Sequence, residues 1–266
     1  MPAQLVSPDE DIRLKDFDPG SSGKYEDKQD AIKDLEDLRE DIRHLCALLR
    51  AEEKHKVLIV LQGLDAAGKD GTVRHVFYGV THFGIRVVPF EKPTKVELAH
   101  DYLWRIHKEM PRSGELVVFN RSHYEDVLAV RVRDLKPKSV WRKRFDHINE
   151  FEHMLADEGT TILKFFLHIS KDEQKERLQA RLDEPHKHWK YNPADLDDRA
   201  HWDDYMEAFE DVLNKTSHKH APWYIVPSDR KWYRNLCIAE TLIERLKKLK
   251  MEWPKLDFDP KSVKID

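Results

Sequence analysis

"VLIVLQGLDAAGKDGTVRHV", residues 57–76, decides the fold. An apolar run enters a glycine turn, the turn carries Gly68-Lys69, and helix-compatible residues follow. G-x-x-x-x-G-K at Gly63, Gly68 and Lys69 is the pattern of a phosphate-binding loop between a buried strand and a helix. Glycines are required because successive backbone N–H groups must turn inward around phosphate oxygens. Lys69 adds a point charge, and the helix N-terminus faces the same anion. Ala66, Ala67, Asp70, Gly71 and Thr72 complete the expected phosphate contacts. After Lys69 the usual loop carries a Ser or Thr whose hydroxyl holds magnesium, but this chain has Asp70. A carboxylate there brings negative charge beside the phosphates. The metal, Mg2+ or Mn2+ in its place, is therefore expected on the hard oxygens of Asp65. Thr72 is either a displaced hydroxyl ligand or a residue of the first helical turn, and Asp70 suits a helix N-terminus.

Outward from this loop, five short apolar runs read as buried strands: 56–62, 85–90, 115–119, 161–168 and 223–227. Helical stretches separate them, which predicts an α/β fold with a five-stranded parallel sheet flanked by helices. Ile32, Leu35, Leu38, Ile42, Leu45, Leu48 and Leu49 follow a three-four spacing, so residues 25–54 form an amphipathic helix before the first strand. A last helix is expected over about 229–250. Between strands four and five, residues 171–220 are long, charged and helical, as expected of a lid over an active site. The chain divides into an extended or loosely tethered N-terminal arm (1–24), one domain (25–250) and a C-terminal tail (251–266).

A second candidate site ends strand three. "ELVVFNRSHYEDV" (115–127) places Asn120, Arg121 and Ser122 where doubly wound sheets bind ligands. An acidic residue usually orients the metal here; Asn120 offers only an amide oxygen. The planar fork of Arg121 suits bidentate contact with phosphate. Glu125 and Asp126 either replace the missing carboxylate from the next turn or are ordinary exposed charges. In the lid, Arg177 and Arg181 lie four apart on one helical face, followed by Lys187 and Lys190. Such a row suits a polyanion, although Glu173 and Arg177 also have the spacing of a common surface ion pair. Trp189, Tyr191, Trp202 and Tyr205 either hold a base or pack the lid, and Asp195 is a helix cap or a substrate contact. Lys231 and Arg234 follow the last strand, within reach of a substrate.

The 266 residues include 36% charged ones, with a net charge of −4. That balance argues against nucleic-acid binding by overall positive charge, so a polyanion would need a local basic groove. No apolar run has membrane-spanning length, and Cys46 and Cys237 stand apart as reduced core residues of a cytoplasmic protein. The histidines lack cysteine partners or a His-Glu-x-x-His pattern, so zinc is not expected.

"GLDAAGKDGT" (63–72), "FNRSHYEDV" (119–127), "KHWKYNPADL" (187–196) and "APWYIVPSDRKWYRN" (221–235), in this order and spacing, resemble the type 2 polyphosphate kinase family, most closely its class III branch. The resemblance covers roughly residues 30–250 and implies a P-loop kinase fold. It further implies inorganic polyphosphate as phosphoryl donor, AMP and ADP as acceptors, with guanine nucleotides as an extension, and a dimeric or tetrameric homo-oligomer. By position it assigns Asp65 and Lys69 to metal and phosphate, Arg121 to phosphate, and Arg177 and Arg181 to the lid. Catalysis is thus expected from Asp65, Lys69, Asn120, Arg121, Arg177 and Arg181, metal ligation from Asp65, Asn120 and Glu125, and nucleotide contacts from Arg121, Ser122, Glu125 and Asp195. Most of the family ends strand three in Asp-Arg-Ser, so Asn120 leaves the usual two-aspartate metal site in doubt. An ATP-dependent nucleoside monophosphate kinase shares loop and lid, but Asp70 and the Asn-Arg-Ser motif weigh against it. A nucleotide switch would want Asn-Lys-x-Asp, which is absent.

Overall fold

The computed structural model describes residues 3–81 and 84–265. Strand β2 (Lys56–Gln62) lies in the middle of the sheet, hydrogen-bonded in parallel to β4 (Glu115–Asn120) on one side and β5 (Thr160–His168) on the other. With both faces covered, β2 is buried from Val57 onward, which is why it reads as an unbroken apolar run. Strand β3 (Arg86–Pro89) adds to β4 and β6 (Trp223–Pro227) adds to β5, also in parallel.

The sheet has six strands where the sequence predicts five, in the order β1-β6-β5-β2-β4-β3. The sixth, β1 (Gln4–Leu5), comes from the N-terminal arm and pairs antiparallel with β6. The arm is therefore docked rather than loosely tethered over the stretch that follows Met1 and Pro2, which lie outside the described residues. Ala3, Val6 and Leu14 are buried. The Ile12 and Leu14 amides donate to Asn214 and Glu210 at 2.9 and 2.8 Å. Its anchors are single residues several positions apart, and they leave no periodic signal.

Counting the longer helices only, α1 (Lys28–Glu52) begins at Asp27, whose side chain accepts from the Gln29 amide at 2.7 Å. It lays its apolar stripe against the last helix, α7 (Lys231–Lys247). Helix α2 (Lys69–Val76) leaves the glycine loop, and α3 (Lys143–Asp157) precedes β5. Between β5 and β6 the expected lid comprises α4 (Lys171–Asp183), a 3-10 segment (Pro185–Lys190), α5 (Ala194–Ala200) and α6 (Trp202–Thr216). Trp202 and Tyr205 pack into the core, as does Trp223 of β6, whereas Trp189 is exposed. Cys46 and Cys237 are both buried. All parallel strands deliver their C-terminal ends to one edge, where a large cavity opens.

Candidate active site

The cavity measures about 1070 Å³ and is walled by the glycine loop, the ends of β3 and β4, the lid and the first turn of α7. Twelve Lys and Arg side chains line it against five Asp and Glu. The chain as a whole is acidic, so positive charge is concentrated here.

The loop leaves β2 through Gly63 at φ 151°, where an added Cβ would lie 2.8 Å from the Leu167 carbonyl. Gly68, at φ 109°, caps α2; a Cβ there would come within 1.9 Å of the Arg234 guanidinium. Lys69 is buried and donates to the Gly63 and Leu64 carbonyls at 2.7 and 3.2 Å, arching across the loop. The Ala66 and Ala67 carbonyls accept from Arg177 Nη1 at 2.9 and 3.1 Å, and Ala67 also accepts from Arg234 at 3.1 Å. Trans peptide geometry then turns the Gly68 N–H away from both arginines. Thr72 is buried and its Oγ1 has no partner; its amide continues the helix from the Gly68 carbonyl at 2.9 Å.

Arg177 departs from the expected row of lid cations. Its Nη2 donates to the Ser228 and Asp229 carbonyls at 2.7 and 2.8 Å, and its Nε to Glu173 at 2.7 Å. With every guanidinium nitrogen engaged by protein oxygens, Arg177 braces the loop against the segment after β6. Arg181, one turn on, bonds Asp195 at 2.6 Å and the Lys190 carbonyl at 3.1 Å. Lys187 and Lys190 also line the cavity, the former paired with Glu184.

Arg121 stands at the end of β4 with φ 62°, its amide held by the Leu61 carbonyl at 3.0 Å. A side chain in this left-handed region is strained, as is common at functional sites. Its guanidinium forms an ion pair with Asp65. Burial alone would raise the Asp65 carboxyl, but Lys69, Arg121 and Arg181 hold it below the usual range. Burial and Arg121 depress the Lys69 ammonium, against the pull of Asp65, Glu125 and Asp70. Asn120 Nδ2 donates to Asp70 at 2.5 Å, which leaves the amide oxygen as its ligand atom.

The open reading of Glu125 and Asp126 resolves into two roles. Neither is exposed. Asp126 pairs with Arg144 at 2.7 Å. Glu125 is raised by burial and interacts with Arg121, Lys69 and Asp65, so it belongs to the charged cluster. Ser122 is fully buried, capping the turn by accepting from the Tyr124 amide at 3.2 Å, and does not line the cavity. Asp195 is buried beneath Arg181; burial and the Asp65 charge raise its carboxyl.

Lys231 and Arg234 line the cavity, as their place after the last strand suggests, whereas Arg39 and Arg74 line it and stand outside the residues singled out from the sequence. Burial and Arg177 pull Arg234 down to about 9, which still leaves it charged at neutral pH. Arg39 had a readable signal. It lies four and seven residues past Leu35 and Ile32, a charge set into the apolar stripe of α1.

The family model described as "Polyphosphate kinase 2" matches residues 25–254. The chain is 54% identical over 262 residues to a Meiothermus ruber protein named AMP/ADP-polyphosphate phosphotransferase, covering 98% of both chains. It is 44% identical over 242 residues to a Rhodopseudomonas palustris protein named ADP-polyphosphate phosphotransferase, covering 86% of this chain and 84% of that one. The crystal structure of polyphosphate kinase 2 from Arthrobacter aurescens TC1 superposes with a TM-score of 0.91 at 41% identity, covering 98% of this chain and 96% of the other.

Proposed function

Because the chain belongs to the polyphosphate kinase 2 family, we propose that it transfers the terminal phosphoryl group of inorganic polyphosphate to AMP and ADP. The observation that carries this reading is the cation-rich cavity assembled from α1, the glycine loop, the end of β4, the lid and α7. Two unit charges 4 Å apart repel by about 4 kcal/mol at an effective dielectric of 20, so two polyanions meet end to end only inside such a screen. An acceptor that is itself a phosphate is ionised near neutral pH and needs no general base. The residues then have two tasks, alignment and charge neutralisation. Gly68 and the first turn of α2 offer backbone N–H groups to phosphate, and Lys69 and Arg121 supply charge. Asn120 and Arg121 orient the acceptor end, while Arg181, Lys187 and Lys190 close over the donor and exclude water.

Mg2+, with Mn2+ as substitute, is the proposed cofactor; Asp65, Asn120 and Glu125 would hold it, and it would supply positive charge to neutralise the phosphates. The donor chemistry fits. Among the described residues there is no cage of three or more His, Cys, Asp or Glu. Asp65 and Glu125 share one charged cluster, and Asn120 adds an amide oxygen. One or two carboxylates completed by substrate phosphates and water are what magnesium commonly takes. Among the described residues no helix is long and apolar enough to cross a membrane. A cytoplasmic location and a homo-oligomer complete the proposal, the location resting on the two buried thiols.

The test is incubation with magnesium, AMP and long-chain polyphosphate in the absence of ATP. ADP followed by ATP is the expected product series. No product there, with ADP formed from ATP plus AMP, would replace this reading with the ATP-dependent nucleoside monophosphate kinase.

A further inference from the structure

Beneath the Arg121 turn lies a polar cluster that the phosphoryl-transfer reading does not use. Lys164 of β5 and Glu152 of α3 are both fully buried. The Lys164 ammonium donates to the Glu152 carboxylate, to the Tyr124 hydroxyl at 2.8 Å and to the Thr216 carbonyl at 2.7 Å. Three donors thus meet three acceptors. Tyr124 in turn donates to Glu152 Oε1 at 2.8 Å, and His123 Nε2 lies 3.2 Å from the same oxygen.

A buried ion pair is a poor stabiliser, because the desolvation of both charges offsets their attraction and apolar replacements often do as well. What this one does hold is position. His123 and Tyr124 follow Arg121 by two and three residues, and Arg121 sits in the left-handed region. A side-chain-bearing residue stays there only when its surroundings over-determine it. Tyr124, immobilised through its hydroxyl and edge-on to Trp223 with centroids 4.9 Å apart, supplies that constraint. Thr216 is the last residue of α6, where the lid returns to the sheet, and its hydroxyl accepts from Trp223 Nε1 at 2.8 Å. One ammonium therefore grips both the turn that aims Arg121 and the root of the lid.

We propose that Lys164 is a positioning residue for phosphoryl transfer, locking the Arg121 turn to the lid root through Tyr124, Glu152 and the Thr216 carbonyl. The inference rests on the polyphosphate-to-nucleotide reading. Tyr124→Phe is the primary test, because it removes one hydroxyl and leaves Lys164 its Glu152 and Thr216 partners. Lys164→Met is the harsher companion. Steady-state constants for polyphosphate and ADP are measured beside thermal midpoints, alone and combined with Arg121→Lys.

Tyr124→Phe is expected to lower kcat about tenfold, as small misplacements of catalytic groups do, with both KM values little changed. Combined with Arg121→Lys it should add almost nothing to the loss from Arg121→Lys alone, because both act on one guanidinium. A purely structural role would change the thermal midpoint and the active fraction without this non-additivity. Wild-type kcat in Tyr124→Phe, a loss that multiplies with that of Arg121→Lys, or a Tyr124→Phe protein that fails to fold would each overturn the proposal. Absence of polyphosphate turnover in the wild-type protein is a separate result, and it would overturn the proposed function itself.

Discussion

Asp65 sits among Lys69, Arg121 and Arg181, whose charges hold its carboxyl below the usual range despite burial. Asp65→Asn and Lys69→Ala should each reduce ADP formation by about two to three orders of magnitude while circular dichroism stays unchanged. Normal turnover in Asp65→Asn would remove it from the metal site. The same carboxylate sets a pH dependence. Its folded-state pKa lies below its unfolded value, so its stabilising contribution is complete above about pH 4 and disappears as pH falls through the folded value. The gap in urea-unfolding free energy between wild type and Asp65→Asn should be about 1 kcal/mol at pH 7 and should shrink on acidification below pH 4. A gap that widens in acid would contradict the assigned direction. Gly68→Ala should lower activity by about a hundredfold or more, because its Cβ meets the Arg234 guanidinium at 1.9 Å in a backbone region closed to alanine. Asp65, Lys69 and Arg121 were legible because a local pattern fixes their place at strand ends. The division between Glu125 and Asp126 was not, because it depends on Arg144, which is distant in sequence.

Helix α4 shows what spacing can and cannot say. Four residues apart, Arg177 and Arg181 share a face, as read from the sequence, yet they meet different surroundings. Arg177 finds the Ala66 and Ala67 carbonyls, more than a hundred positions away in the chain; Arg181 finds Asp195. Nothing in "DEQKERLQARL" encodes that difference. Arg177→Ala should therefore lower the thermal midpoint and impair both substrates, since the loop loses its brace. Arg181→Ala leaves the buried Asp195 without its partner, so it should lower the midpoint as well, and it should raise the polyphosphate KM alone with a flatter salt dependence. An unchanged salt profile in Arg181→Ala would remove it from the donor groove. The strands were legible because β2, β4 and β5 are buried on both faces and read as apolar runs. The two-residue β1 is too short to carry a pattern.

At the scale of the whole molecule, the sheet gathers one edge of strand ends, and the lid, α1 and α7 bring cations to it from distant parts of the chain. The N-terminal arm covers the β6 edge of the sheet. Removing residues 1–17 exposes the Leu14 and Val6 sites and should lower stability by about 3 to 5 kcal/mol, read as a shifted urea midpoint. An unshifted midpoint would show that the arm is not docked in solution. Fold class, lid and glycine loop could be read in advance because each has a local signature. The basic cavity could only be suspected, because its charges are scattered through an acidic chain and meet only after folding. The most direct measurement is a crystal structure of the protein soaked with a phosphate oligomer. The oligomer is expected inside the 1070 Å³ cavity, with a phosphate at the Gly68 and Lys69 end of the loop and the chain running toward Arg181 and Lys190. An ordered oligomer bound elsewhere, with this cavity empty, would contradict it.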